Sequence, residues 1–527
     1  MAAKKLKGKV TPIKGKKKVS RASLAGKKAP KGKFASKFFP KLAKISKKPV
    51  TASPAQEPLP APTAAQIGRA RVLEEIFVQV AAQVSPLPSE AEAEKKFALS
   101  VIEKLENALV GESVKVFFVG SAARDTGLRG DNDIDLFVSY PTSCTREQIV
   151  EKTIHATKTS IPGSWEMHYA EHPYLQAKLG EFKVEVIPCF QIDPHGDLKS
   201  AVDRSPLHMD YLQKRLSFKQ KRDVRVLKQL LKRAGIYGAE ARIGGFSGLV
   251  CEYLILNYRS LAGLLESACN WKPPVAVDLE GVRVGEDLAA VFNSPLVIVD
   301  AIDKKRNAGA AVSLQNLVAF ISLSQALLQN PSKEFFFPQK IVALPSEKIV
   351  SLCKARGTFL CIVEFPAPKV VEDILFPQVR KTLHSIATHL EKEKFTLLDS
   401  CDFEASGKLY FVFEFACQHR PGVKVFQGPP GWNFEQVKKF ADSHPRSLRG
   451  PYLRGEKTFI EEKQDLTDAG VFLERLVRDR EATLSVGSKI EPALRRAKII
   501  HGKEIGLLTA SALLELQKYL EKKEFWL

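Results

Sequence analysis

Two aspartates, Asp133 and Asp135, have the side-chain type and the spacing that a metal site requires. They stand at the start of the run Ile134 to Tyr140, whose apolar and aromatic residues predict a β-strand. Residues two apart on a strand share a face, so both carboxylates point the same way. Adjacent carboxylates repel each other unless a cation lies between them, and oxygen ligands of this kind suit Mg²⁺. A plain acidic turn over Gly130 to Asp133 is the alternative interpretation.

A Gly-Ser pair, Gly120 and Ser121, precedes the aspartates at the end of the predicted strand Val116 to Val119. Glycine lets the backbone approach a ligand closely. The N–H groups of the helix that begins here, with the Ser121 hydroxyl, can bind the phosphates of a nucleotide. A Gly-Ser pair alone has no diagnostic value, but before two spaced aspartates it predicts a phosphate site beside a metal site.

A third carboxylate, Glu185, lies on a later predicted strand, Phe182 to Ile187. It alternates with Val184 and Val186, so it falls on the less apolar face of that strand. Glu185 can therefore complete a set of three carboxylates with the two aspartates. An ordinary glutamate on a sheet surface is the alternative.

The elements that must position these residues form an α+β, multidomain chain. Helical spacing begins at Ile67 and again over Glu90 to Leu109, and a small α/β unit follows. The chain then becomes mainly helical from about Pro206 to Gln329, and changes to strands and helices after Phe335. The stretch from Phe434 to Leu527 has a helix-rich pattern with charged loops that does not define individual elements. The main expected elements of the later chain are helices at 222–234, 314–328 and 371–392 and strands at 359–365, 395–403 and 409–416.

The net charge of +21 is concentrated at the N-terminus. Residues 1–50 contain 18 Lys or Arg and no acidic residue, so the rest of the chain is nearly neutral. This Lys/Ala/Pro-rich segment, residues 1–65, has too few bulky residues to fold and is predicted to be disordered. Such a basic tail binds polyanions without sequence preference. A tail that serves only solubility is the alternative.

Other features of the composition exclude several classes of protein. No apolar run is long enough to cross a membrane, and no secretory signal follows the basic N-terminus. The eight cysteines show no CxxC pairing, which is typical of reduced thiols. We therefore expect a cytoplasmic protein without membrane association.

Six longer runs of sequence carry a resemblance to a known family. They are VGSAARDTGLRGDNDIDLFV (119–138), YAEHPYLQAKLGEFKVEVIPC (169–189), SAVDRSPLHMDYL (200–212), VRVLKQLLKRAGIYGAE (224–240), GGFSGLVCEYLI (244–255) and DAIDKKRNAGAAVS (300–313). Gly-Ser with Asp-x-Asp alone fits any polymerase-β-like nucleotidyltransferase. The YAEHPY, GIYGAE, GFSG and KRN segments, however, resemble the archaeal-type, class I CCA-adding tRNA nucleotidyltransferases. The resemblance covers essentially everything after the basic tail, more thinly in the C-terminal half.

This resemblance implies a fold, a reaction and a set of site residues. The fold is a polymerase-β-like nucleotidyltransferase head, a helical central domain, and an α+β C-terminal body and tail. The reaction is the template-independent addition or repair of the 3′-terminal CCA of tRNA from CTP and ATP, with two Mg²⁺ ions. The implied metal ligands and catalytic residues are Asp133, Asp135 and Glu185, and the implied nucleotide-binding residues are Ser121, Arg124, His208, Lys228, Tyr237 and Arg306.

Each implied nucleotide-binding residue also has a structural alternative. Lys228 and Arg306 could be solvated helix charges, His208 a cap or core histidine, and Tyr237 a turn aromatic. The chain also departs from the family pattern. Glu185 stands where the family usually has Asp, while Ala122, Asp125 and Gly244 replace residues that are usually bulkier, neutral or basic.

The expected domains are the tail (1–65), a catalytic domain (66–205), a helical domain (206–330) and an RNA-binding body and tail (331–527). The expected partners are ATP, CTP and the tRNA 3′ end with its acceptor and T arms, and a homodimer is left open. Two alternatives stand beside CCA addition. One is a poly(A) or uridylyl transferase that acts on other RNA 3′ ends, and the other is a non-catalytic RNA-binding protein.

Overall fold

The computed structural model describes residues 64–169, 171–193, 196–338, 341–479 and 484–527. The predicted disordered tail lies outside these residues, except for its last two, which begin a helix. In the described ranges, no helix combines the length and the apolar character needed to cross a bilayer. All eight cysteines are free thiols.

The first part of the fold is a five-stranded sheet with helices on one face. The elements are α1 (Ala64–Val84), α2 (Pro88–Ala108), β1 (Lys115–Val119), α3 (Gly120–Ala123), β2 (Asp133–Tyr140), α4 (Arg146–Ser160), β3 (Glu166–Tyr169), β4 (Pro173–Leu179) and β5 (Phe182–Phe190). The strand order is β1-β2-β5-β4-β3, and β2 and β5 are parallel while the other neighbours are antiparallel.

Alternation along β2 and β5 decides which residues face the helices. Ile134, Leu136, Val184 and Val186 are fully buried in one cluster with residues of α2 and α4. The residues between them point to the opposite face, which these two helices do not cover. The apolar residues thus anchor the sheet, while the opposite face carries the carboxylates and packs against Val202 and Met209 farther along the strands.

The middle of the chain is mainly helical, as predicted. The elements are α5 (Arg204–Arg215), α6 (Phe218–Arg233), α7 (Gly248–Tyr258), α8 (Leu261–Ala268), β6 (Val275–Asp278), α9 (Leu288–Phe292), β7 (Leu296–Val299) and α10 (Leu314–Gln329), with 3₁₀ turns at Ala201–Asp203 and Lys333–Phe335. The parallel pair of short strands, β6 and β7, was not predicted from the sequence.

Helix α6 shows how the sequence builds this region. It begins where the Ser217 hydroxyl accepts a hydrogen bond from the backbone N–H of Gln220 and the Gln220 side chain caps Ser217 in return. Its apolar positions, such as Leu227 and Leu230, are fully buried, and α1 packs against them in the same core. The expected helix at 222–234 therefore exists and begins one turn earlier.

The C-terminal part contains two antiparallel sheets, ordered β14-β8-β10-β9 and β11-β13-β12. The expectation of a helix-rich end after Phe434 was incomplete, because β12, β13 and β14 lie there. The elements are α11 (Ser346–Ala355), β8 (Phe359–Pro366), α12 (Glu372–Lys392), β9 (Leu397–Ala405), β10 (Lys408–Phe415), β11 (Val423–Pro430), α13 (Phe434–Asp442), β12 (Ser447–Arg454), β13 (Lys457–Lys463), α14 (Ala469–Arg478), α15 (Glu491–Leu494), β14 (Lys498–His501) and α16 (Ala510–Leu520), with a 3₁₀ turn at Gly502–Leu507.

Strand β12 was missed for a physical reason. Its sequence, SLRGPYLR, contains Gly and Pro and has no β-branched residue, so its strand propensity is low. Almost all of its residues are exposed, so it also lacks the apolar alternation that marks a half-buried strand. Pairing with β13 holds it in place.

Candidate active site

The three predicted carboxylates lie on the same face of neighbouring strands. In the parallel pairing of β2 with β5, Asp135 is in register with Glu185, and Asp133 is in register with Lys183. Side chains at matched positions of adjacent strands project to one side of the sheet. The structure therefore brings Asp133, Asp135 and Glu185 together, as the sequence predicted.

Burial, reinforced by like-charge repulsion, opposes the ionisation of the two aspartates. Burial raises the pKa of Asp135 to about 7, and the charges of Glu185 and Asp133 contribute to the same shift. Burial likewise raises the pKa of Asp133. Crowded oxygen ligands that resist ionisation in this way are suited to a divalent cation, which would favour their charged form.

Gly120 leaves the space that the Asp135 carboxyl occupies. A Cβ added to Gly120 would lie 2.1 Å from Oδ2 of Asp135. Gly120 also has a φ of +81°, a conformation that side chains other than glycine rarely adopt. The glycine of the Gly-Ser pair is thus required by a carboxylate as well as by the turn into α3.

The carboxyl of Glu185 is held by two neighbours. Gln176 on β4 donates a hydrogen bond of 2.6 Å from Nε2 to Oε1 of Glu185. Lys183 places its ammonium 3.1 Å from Oε1 of Glu185 and 4.0 Å from Oδ1 of Asp133. Within the described ranges, no three acidic, His or Cys side chains already form a metal-binding group. The three carboxylates are chemically suited to bind a divalent cation. Lys183 is the positive charge that lies beside them in this structure.

Ser121 lies in α3, and Arg124 comes directly after this helix. A cleft of about 360 Å³ is lined by Ser121 and Asp133 among other residues. Arg124 is buried and donates from Nε to Oε1 of Glu252 at 2.9 Å, and the Thr126 hydroxyl donates to the same oxygen at 2.6 Å. Arg124 is therefore part of a buried ionic network next to the carboxylates.

Lys228 belongs to the same buried network. Its side chain is 1% exposed, and its ammonium donates to the backbone oxygen of Thr126 at 2.8 Å. A Cβ added to Gly248 would lie 3.5 Å from the Tyr237 hydroxyl and 3.6 Å from Nζ of Lys228, so these three residues are neighbours. The alternative that Lys228 is a solvated helix charge is wrong.

His208 and Arg306 meet through a residue that sequence reasoning missed, Asp300. Nε2 of the buried His208 lies 2.8 Å from Oδ1 of Asp300, and Nη1 of Arg306 donates to Oδ2 of Asp300. Arg306 lies in the loop after β7 and is not a helix residue. The structure therefore joins His208 to Arg306, and joins Arg124, Lys228 and Tyr237 in a second group.

Sequence signals for the missed residues were weak but present. Glu252 is a charged residue in the otherwise apolar helix α7. Glutamate is rarely buried without a partner of opposite charge, so its position indicates a buried ion pair. Gln176 could not be placed, because β4 was not predicted and its pairing with β5 brings Gln176 opposite Glu185.

Three family models match successive parts of the chain. They are the nucleotidyltransferase domain at residues 99–208, the second domain of tRNA nucleotidyltransferase at 222–337, and the C-terminal domain of the CCA-adding enzyme at 356–502. The chain is 34% identical to the CCA-adding enzyme of Methanothermobacter thermautotrophicus over 391 residues, which span 73% of this chain and 84% of the relative. The chain belongs to the CCA-adding enzyme family.

Other archaeal CCA-adding enzymes match over nearly their whole length. The enzyme of Halorubrum lacusprofundi is 32% identical over 467 residues, which span 85% of this chain and 99% of the relative. Among solved structures, a cytoplasmic RNA terminal U-transferase matches with a TM-score of 0.40 and 14% identity. The match covers 51% of this chain and 99% of the transferase chain. The predicted family and the α+β, multidomain nucleotidyltransferase fold class are confirmed.

Proposed function

We propose that this member of the CCA-adding enzyme family adds or repairs the 3′-terminal CCA of tRNA without a nucleic-acid template. It uses CTP and ATP and releases pyrophosphate. The observation that carries the proposal is the in-register pairing of Asp135 and Glu185, beside Gly120 and Ser121, in a chain of this family. The presence of all three carboxylates argues against the alternative that this is a non-catalytic RNA-binding protein. The match to a CCA-adding C-terminal domain does not favour a poly(A) or uridylyl transferase.

Enzymes of this family depend on Mg²⁺, and we propose that Asp133, Asp135 and Glu185 would hold two such ions. When bound, Mg²⁺ supplies charge neutralisation at the triphosphate and lowers the pKa of the attacking hydroxyl. The chain itself aligns the ligands, since paired strands fix the two backbones and Gln176 orients the Glu185 carboxyl. The extra methylene of Glu185, relative to Asp, is thereby held in one position.

The reaction exchanges one phosphorus–oxygen bond for another. The 3′ oxygen of the tRNA bonds to the α-phosphorus as the bond to the bridging oxygen of pyrophosphate breaks, and the hydroxyl proton is released. We assign the positioning of the triphosphate to Ser121, Arg124, His208, Lys228 and Tyr237. The positive charges among them stabilise the negative charge on the leaving group.

Arg306 would read the edge of the incoming base. A guanidinium can only donate hydrogen bonds. Cytosine and adenine present an acceptor ring nitrogen on the Watson–Crick edge, whereas uracil and guanine present an N–H there. An N–H of Arg306 held opposite this ring nitrogen therefore favours CTP and ATP over UTP and GTP.

The same proposal covers the domains, the location and the tail. Residues 66–205 form the catalytic domain, 206–330 the helical domain and 331–527 the RNA-binding body in a cytoplasmic enzyme. The body would recognise the acceptor and T arms by shape and by backbone contacts. The basic tail would add non-specific affinity, so deletion of residues 1–50 should weaken RNA binding in a salt-dependent way and spare catalysis.

A tRNA transcript that lacks its CCA end tests the function directly. With Mg²⁺, CTP and ATP, the product should grow by C, C and A and then stop. Indefinite A addition to an unstructured RNA would favour the poly(A) alternative, and absence of incorporation would favour the non-catalytic one. Asp135→Asn should abolish incorporation and retain tRNA binding, because it removes a metal ligand and not an RNA contact.

A further inference from the structure

Asp300 occupies a buried position between two parts of the nucleotide site. It follows β7, and its side chain is 0% exposed. A buried carboxylate is costly unless its charge and its lone pairs are satisfied. The contacts around Asp300 meet both requirements, and its two oxygens contact different residues of the site.

One oxygen of Asp300 contacts His208, to which we assign the positioning of the triphosphate. Oδ1 lies 2.8 Å from Nε2 of His208 and accepts from the Tyr253 hydroxyl at 3.3 Å. The backbone N–H of Ile302 also donates to it, at 2.9 Å. His208 is thus fixed in the core by a charge-assisted contact and does not merely fill space.

The other oxygen holds Arg306. Nη1 of Arg306 donates to Oδ2 of Asp300, and the guanidinium-bearing side chain is 34% exposed. In the described residues, no other protein group is bonded to this guanidinium, so Nε and Nη2 are left for a ligand. The backbone closes the loop as well, because the N–H of Asp300 donates to the Arg306 oxygen at 3.1 Å.

The neighbouring Asn307 locks the base of this loop. Its Oδ1 accepts from the backbone N–H of Ile298 at 2.9 Å and from that of Gly309 at 2.8 Å. The loop therefore leaves β7 and returns to it at a fixed place, and Arg306 projects from a rigid support.

We infer that Asp300 is a positioning residue for nucleotide selection, because it anchors Nη1 of Arg306 and ties it to His208. This inference rests on the base-reading role proposed for Arg306. An arginine side chain carries about 2 kcal/mol of rotamer entropy, and recognition through its planar donors requires that freedom to be removed in advance. Without this anchor, the guanidinium samples other positions and bonds less selectively to an acceptor nitrogen.

Asp300→Asn tests the inference, since it keeps the shape of the side chain and removes its charge. On a tRNA transcript ready for C addition, the ratio of kcat/KM for CTP to that for UTP should fall at least 10-fold, with a higher KM for CTP. The matched control is Asp303→Asn in the same loop, whose carboxyl pairs with Arg204 at 3.1 Å and does not contact Arg306. This control should keep the wild-type ratio.

Two further variants separate the possible failures. If Arg306→Ala loses selectivity while Asp300→Asn keeps it, the inference is overturned and the proposed base reading stands. If Arg306→Ala also keeps the wild-type ratio, the base-reading role itself is wrong. Should Asp300→Asn not fold, Tyr253→Phe decides, because it removes one hydrogen bond to Asp300. A two- to three-fold fall in the ratio supports the inference, and an unchanged ratio overturns it.

Discussion

Gly120 and Asp135 are in direct contact, so that a Cβ on residue 120 would lie 2.1 Å from the Asp135 carboxyl. Gly120→Ala should therefore displace this carboxyl and strain a backbone with a φ of +81°. A displacement of 1 Å in an active site costs about 100-fold in rate, and we expect a loss of that size in kcat for nucleotide addition. Gly127→Ala is the control, since its Cβ would have an ordinary contact of 3.6 Å with the Ser121 hydroxyl. Equal losses in both variants would contradict this explanation.

Asp135 should make the metal-free protein less stable as pH rises. Its pKa is about 7 in the folded chain, mainly because of burial, and 3.8 is the ordinary value. The unfolded chain releases this proton at lower pH, so the stabilisation is complete below pH 3.8 and is lost as pH rises through 7. In EDTA, the Tm advantage of Asp135→Asn over wild type should grow as pH is raised through this range. A difference that does not change with pH would show that the carboxyl ionises normally.

Lys183 should compete with a divalent cation for the carboxylates. Its ammonium lies 3.1 Å from Glu185 and 4.0 Å from Asp133, so a metal ion must displace it or share its ligands. We expect Lys183→Met to bind Mn²⁺ several-fold more tightly in a titration followed by electron paramagnetic resonance. Lys178→Met is the control, because Lys178 is an exposed lysine on β4, directly opposite Lys183 in the strand register. Weaker Mn²⁺ binding by Lys183→Met would mean that the lysine assists the metal.

Glu252 should be essential for stability, because it is the buried counter-charge of Arg124 and Lys228. Burial alone would raise the pKa of Glu252, but these two positive charges lower it. Removal of one partner of a buried ion pair costs about 3 to 5 kcal/mol, so Glu252→Gln should reduce the free energy of unfolding by that order. Urea denaturation measures the change, and Glu240→Gln at an exposed position is the control. A loss below about 1 kcal/mol, the value typical of exposed pairs, would show that the network is solvated.

The sequence predicted the carboxylate face well, because a period of two residues on a strand is a local property. Alternation with Ile134 and Val184 was enough to place Asp133 and Asp135 on one face of their strand and Glu185 on the less apolar face of its own. The register that brings the two faces together is not local. The two metal ions and the roles of the nucleotide-binding residues came from family resemblance and stay predictions.

Contacts between distant segments could not be predicted in the same way. Glu252 reaches Arg124 across 128 residues and Asp300 reaches His208 across 92, and no local pattern encodes either contact. Strand β4 was missed because the YAEHPYLQ segment carries Pro and polar residues, although pairing on both edges stabilises it. Tertiary packing decided these elements against local propensity.

The parallel pairing of β2 with β5 has an evolutionary consequence. The loops between these strands can change in length without moving Asp135 relative to Glu185, because the ladder determines where the two residues meet. Strand β4 in the same connection must keep its pairing with β5, since it holds Gln176 against Glu185. A shift of a single residue within β2 or β5 would instead turn a carboxylate toward the core. Insertions and deletions should therefore accumulate in the loops of this connection and be absent from β2, β4 and β5. A search pattern with a fixed gap between the aspartates and the glutamate would miss genuine relatives.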